Sequence, residues 1–147
     1  MGSIYWEDAG IRENDNCGET YAIFSFAGES LNPEHITSRL GLEQTFAKTP
    51  GNPMPFPSNL VTESDGLWAI SSQDRLVTTT LDRHLVFLLD LLEPVSGDIL
   101  EITAPGKLFA YFHCYWLPIA FLGGPAIRPE TLRKIEKINA YLEIRFQ

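Results

Sequence analysis

Leu81, Leu85, Leu88, Leu89 and Leu92 recur at the three- and four-residue spacing that lines one face of a helix. Val86, Phe87 and Leu91 widen the stripe and leave Asp82, Arg83, His84, Asp90 and Glu93 for water, so residues 81–92 read as a central helix largely covered by protein. Thr79 and Asp82 have the spacing of a capping box, in which hydroxyl and carboxylate accept hydrogen bonds from first-turn amides, and Pro94 marks the stop. A helix this apolar predicts a sheet to cover it.

Strand patterns flank it on both sides. In residues 20–27, Tyr21, Ile23 and Ser25 alternate with Ala22, Phe24 and Phe26; residues 42–48 and 67–72 read as further strands, the latter with Trp68 and Ile70 on one face. After the central helix, residues 99–103 read as a short strand turning through Ala104-Pro105-Gly106 into residues 108–116. There Ala110, Phe112, Cys114 and Trp116 share one side, and Phe109, Tyr111, His113 and Tyr115 the other. Leu142, Ile144 and Phe146 alternate in a last strand. Two more helices start with Pro-Glu: Asn32 caps one that carries Ile36 and Leu40 and ends at Gly41, and Pro129 opens one that carries Leu132, Ile135 and Ile138. The two starts, Leu31-Asn32-Pro33-Glu34 and Ile127-Arg128-Pro129-Glu130, fit an internal duplication as well as they fit the ordinary preference of helix starts. The order predicts an α+β fold: a ferredoxin-like antiparallel sheet with three helices, built as three strand-helix-strand units.

With 147 residues and 44% hydrophobic content the chain suits one domain with a full core, expected over residues 19–147. Residues 1–18 lack a period and read as an irregular acidic segment whose Ile4, Tyr5 and Trp6 are its docking groups. Neither a long apolar run nor a charged-then-apolar leader is present, which predicts a cytoplasmic protein without a membrane span. Cys17 and Cys114 stand alone and read as free thiols. The net charge of −8 argues against nucleic acid, which is held by basic faces, and favours a basic partner. Within residues 1–30, six acids face Arg12 alone, though solubility of a terminus also explains them. Residues 49–66 hold Pro50, Pro53, Pro55 and Pro57, a density that excludes helix and central strand; a loop of that length is a place to look for binding.

The aromatic strand, Gly28, the run Leu31-Asn32-Pro33-Glu34-His35-Ile36-Thr37, Leu40-Gly41-Leu42, Leu67-Trp68, the leucine helix and the closing Pro129-Glu130 helix and strand together resemble the bacterial domain-of-unknown-function family 4279 over residues 20–147. The resemblance implies a small bacterial α+β protein and carries over no catalytic residue.

No reaction motif emerges from the residues themselves. His35, His84 and His113 have no partner at metal-pair spacing, and no cofactor or metal is expected; His84 reads as solvated on the outer side of its helix. No serine sits in a nucleophile-elbow context, and Gly123-Gly124 is followed by prolines rather than by a phosphate-loop lysine. Arg133, Lys134 and Lys137 read as a solvated helix face. The candidate binding residues are Trp68, Tyr111, His113, Tyr115 and Arg128, with His113 between two phenols on one strand face. These features predict a noncatalytic protein-binding module, in its most specific form an immunity protein that neutralises a cognate basic bacterial toxin. The alternatives are a small-molecule binder or enzyme with a pocket under the 49–66 loop, and a homodimer built on the aromatic sheet face.

Overall fold

The computed structural model describes residues 16–119 and 123–147. Strand β1 (Cys17–Gly28) is followed by helix α1 (Pro33–Leu40) and strands β2 (Phe46–Lys48) and β3 (Gly66–Ser71); helices α2 (Leu81–Leu92) and α3 (Ser96–Thr103) then lead to β4 (Phe109–Pro118), helix α4 (Pro129–Lys137) and β5 (Tyr141–Phe146). The fold is α+β, with one five-stranded sheet in the order β2-β3-β1-β4-β5. Residues 1–15, with Ile4, Tyr5 and Trp6, lie outside the described residues, and Cys17 and Gly18, expected in the irregular lead-in, already belong to β1.

The sheet is mixed, which corrects the expectation of a purely antiparallel one. β1 pairs antiparallel with β3 and β4, and β2 with β3, but β5 runs parallel to β4. The physical reason is α4: a helix crossing over one face returns the chain to the same end of the sheet, so that the next strand enters in parallel. The strand expected over residues 99–103 is instead part of α3, joined to α2 by a 3-10 turn over Glu93–Val95. Pro94 ends the leucine helix as expected, but helix resumes beyond it; a four- or five-residue apolar run satisfies both periods.

The four α-helices of the described residues cover one face. Leu81, Leu85, Leu88, Leu89 and Leu92 of α2 form one core with Ile36 and Leu40 of α1, Ile99 of α3 and Ile135 of α4, against Phe24, Phe26, Trp68, Ile70, Phe112, Cys114 and Trp116 of the sheet. Asn32 caps α1 by accepting from the Glu34 amide at 3.0 Å, and Gly41 closes it in the left-handed region with φ 68°. The cap expected of α2 is different. Thr80 occupies the N-cap without a side-chain cap bond, and the Asp82 carboxylate, expected in water, is fully buried against Arg128. His84 is buried too, its Nδ1 2.7 Å from Ser72 Oγ and its Nε2 3.1 Å from the Thr78 carbonyl.

Among the described residues, the opposite face of the sheet is covered by the proline-rich loop. Phe56 and Val61 pack with Ile23, Ala27, Leu67, Ala69 and Tyr115 in a second, smaller core. Among the described residues no helix is long and apolar enough to cross a membrane.

Candidate functional site

The side chains of β1, β4 and β5 that face the loop include three polar groups in line. Glu143 lies directly opposite His113 in the parallel ladder, and Ser25 lies diagonally across on β1, whose register partner on β4 is Tyr111. Ser25 Oγ is 2.8 Å from His113 Nε2, and His113 Nδ1 is 2.9 Å from Glu143 Oε1. An ionised carboxylate only accepts, which places the ring proton on Nδ1 and makes the Ser25 hydroxyl the donor to Nε2. Burial pushes the His113 pKa below its ordinary value and outweighs the opposing pull of Glu143. At Glu143 burial disfavours the charge, but hydrogen bonds from His113, the Asn59 amide and Ser58 together hold the carboxyl below the usual carboxylate range.

Those last two donors belong to the loop. Ser58 Oγ donates to Glu143 Oε1 at 3.0 Å and the Asn59 amide to Oε2 at 2.8 Å, while Ser58 Oγ accepts from the amides of Leu60 and Val61. The Tyr115 hydroxyl donates to the Pro57 carbonyl. The Phe56 ring lies 5.0 Å from the imidazole of His113. Glu143 is therefore a latch: one carboxylate orients the imidazole and pins the loop over it. Lys48 fastens the far end by donating to the carbonyls of Glu63 and Asp65.

The connectivity of Ser25, His113 and Glu143 is that of a serine acyl-transfer relay, in which the base takes the hydroxyl proton and the carboxylate steadies the ring. Its setting differs from a working active site. Ser25 and His113 are fully buried, and Phe56 of the loop packs against the imidazole.

The structure separates the candidate binding residues. Tyr111, His113 and Tyr115 share the loop-covered face, but Trp68 is fully buried on the helix face, where its Nε1 donates to Thr37 Oγ1 at 2.9 Å. Arg128 is occupied by Asp82 at the start of α4. Tyr115 is consumed by the interior, whereas Tyr111 is half-buried and stacks on Tyr141 at 5.2 Å. Tyr141, which sequence reasoning passed over, is 51% exposed, and Phe109 meets its ring edge-on at 6.4 Å. The signal for Ser25, also passed over, is that it is polar on an otherwise apolar strand face; no local motif links it to residues 113 and 143. Among the described residues no group of three His, Cys, Asp or Glu side chains converges to hold a metal ion.

A family model for a domain of unknown function, DUF4279, matches residues 18–147. The chain belongs to that family. The match takes in β1 from Gly18 onward, the other four strands of this DUF4279 chain and the whole of the latch. No curated protein and no solved structure matches it.

Proposed function

We propose that this DUF4279 protein is a noncatalytic protein-binding module, and that in its most specific form it is a bacterial immunity protein neutralising a cognate basic toxin. The observation that carries the reading is the aromatic cluster of Phe109, Tyr111 and Tyr141, which lies at the open end of β4 and β5 with two of its three rings more than a third exposed. Exposed, mutually braced aromatic rings are the groups that dominate binding at protein interfaces. The net charge of −8 suits the covering of a basic cleft. The antiparallel order β2-β3-β1-β4 supports reading that part of the sheet as ferredoxin-like. The test is titration of the protein into the purified product of the neighbouring gene. A nanomolar complex that blocks that product's activity is expected, weakened more than tenfold by Phe109→Ala with Tyr141→Ala. Absence of any complex overturns the reading.

A second reading, a loop-gated hydrolytic enzyme, is supported by the Ser25–His113–Glu143 relay. It predicts slow labelling of Ser25 by a fluorophosphonate, absent in Ser25→Ala; an unlabelled protein removes it.

A further inference from the structure

Beside the latch, where β1 ends and β4 begins, a cleft of about 460 Å³ opens to solvent. Glu29 and Ser30 follow β1 on one side, Leu60 and Asp65 come from the long loop, and Lys107 comes from the turn before β4. The turn presses against the end of β1 so closely that a Cβ on Gly28 would stand 2.4 Å from the Lys107 carbonyl. The cleft is thus framed by packed backbone.

One wall is aromatic and braced. Tyr111 is held between Tyr141 and the imidazole of His113, whose ring centroids lie 5.2 and 5.7 Å away, and Phe109 is supported by Tyr141. Its charge is negative. Asp65 is fixed by the Thr62 amide, which donates to Oδ2 at 2.9 Å, while Glu29 is exposed and makes no ion pair among the described residues. Among the described residues Lys107 is the single cation in the lining. The field reaches the phenol: burial first, and then the Asp65 charge, push the Tyr111 pKa up.

We infer that this cleft receives a lysine or arginine side chain of the protein partner, its methylenes along Phe109 and Tyr111 and its charged head at Glu29 and Asp65. Aromatic walls suit the long apolar stem of such a side chain, and rings with carboxylates beside them attract its cationic end. The inference rests on the proposed binding function and adds to it the chemistry of the partner's contact group.

The test is an amide NMR titration with N-acetyl-arginine methylamide and N-acetyl-lysine methylamide, with the norleucine analogue as the uncharged control. Saturable shifts at residues 28–30, 65 and 107–111 are expected with the two cations and not with norleucine. Glu29→Gln weakens them by up to about fivefold, the upper range for an exposed ion pair, and about 0.5 M salt does the same. Glu29→Gln also weakens capture of the neighbour-encoded protein. No saturable shift, an equal response to norleucine, or a complex indifferent to Glu29→Gln overturns the inference, the last while leaving the binding function intact. Cations that titrate into the cleft while no protein is captured overturn both the binding function and the protein origin of the side chain.

Discussion

Arg128 grips Asp82 at both carboxylate oxygens: its backbone amide donates to Oδ1 at 3.1 Å and its Nε to Oδ2 at 2.8 Å. The pair ties the N-cap of α4 to the first turn of α2 inside the protein, with Asp82 wholly buried. Removing one member of such a pair strands the other charge away from water. Asp82→Ala is therefore expected to cost about 3–5 kcal/mol, read as a fall in the urea midpoint. Asp82→Leu combined with Arg128→Met should cost clearly less than the sum of the two single changes, because no uncompensated charge then remains.

The latch makes stability fall on acidification in two stages. His113 has a folded pKa below its ordinary 6.5, so below about that pH the unfolded chain takes up a proton that the folded one refuses, and stability declines. Glu143 also has a folded pKa below its ordinary 4.5; its contribution is present above that value and is lost as pH falls through the folded one. Urea midpoints measured between pH 8 and pH 4 should show the first decline in the wild type and a flatter curve in His113→Gln. Glu143→Gln should leave the loop open to limited proteolysis near Ser58 and Asn59 at neutral pH, since it weakens the acceptor that holds both. A loop equally resistant in wild type and variant would contradict the latch.

Much of the fold was legible because burial imposes a period. The leucines of α2, the Pro-Glu helix starts and the alternation of β1 and β4 each report a face turned to one core, and the structure places them so. Several failures trace to partners that the local pattern does not show. Asp82 and His84 look like the wet side of a helix until Arg128 and Ser72 are brought against them. Trp68 and His113 look like neighbours in a site, yet they point to opposite faces of the sheet because each obeys the two-residue period of its own strand. The Ser25–His113–Glu143 relay is illegible for the same reason: its three members come from three strands and share no local spacing.

Glycine positions give a contrast within one chain. A methyl at Gly28 would collide with the Lys107 carbonyl, which cannot move without shifting the turn that frames the cleft, and would also push aside the end of the Leu108 side chain. Gly28→Ala should cost about 1–3 kcal/mol, the range for overpacking a tight site. Gly97, inside α3, has nothing within 4 Å of an added Cβ. Gly97→Ala should raise stability by up to about 1 kcal/mol through helix propensity alone. Thermal midpoints of the two variants, moving in opposite directions, check both.

Thr131, in the first turn of α4, is fully buried, and its hydroxyl oxygen has no hydrogen-bond partner among the described residues. A buried hydroxyl without a partner has lost its bonds to water and gained none in exchange, a cost of about 1–3 kcal/mol that a methyl group of nearly the same size does not carry. Thr131→Val should therefore stabilise the protein, even though valine is no better a helix former than threonine. The comparison that isolates the effect is Thr131→Ser, which keeps the orphaned hydroxyl, loses a buried methyl and should destabilise. Chemical denaturation of the pair decides it: a midpoint for Thr131→Val at or below wild type would mean that the hydroxyl is satisfied in solution and that the start of α4 is wetter than its burial implies.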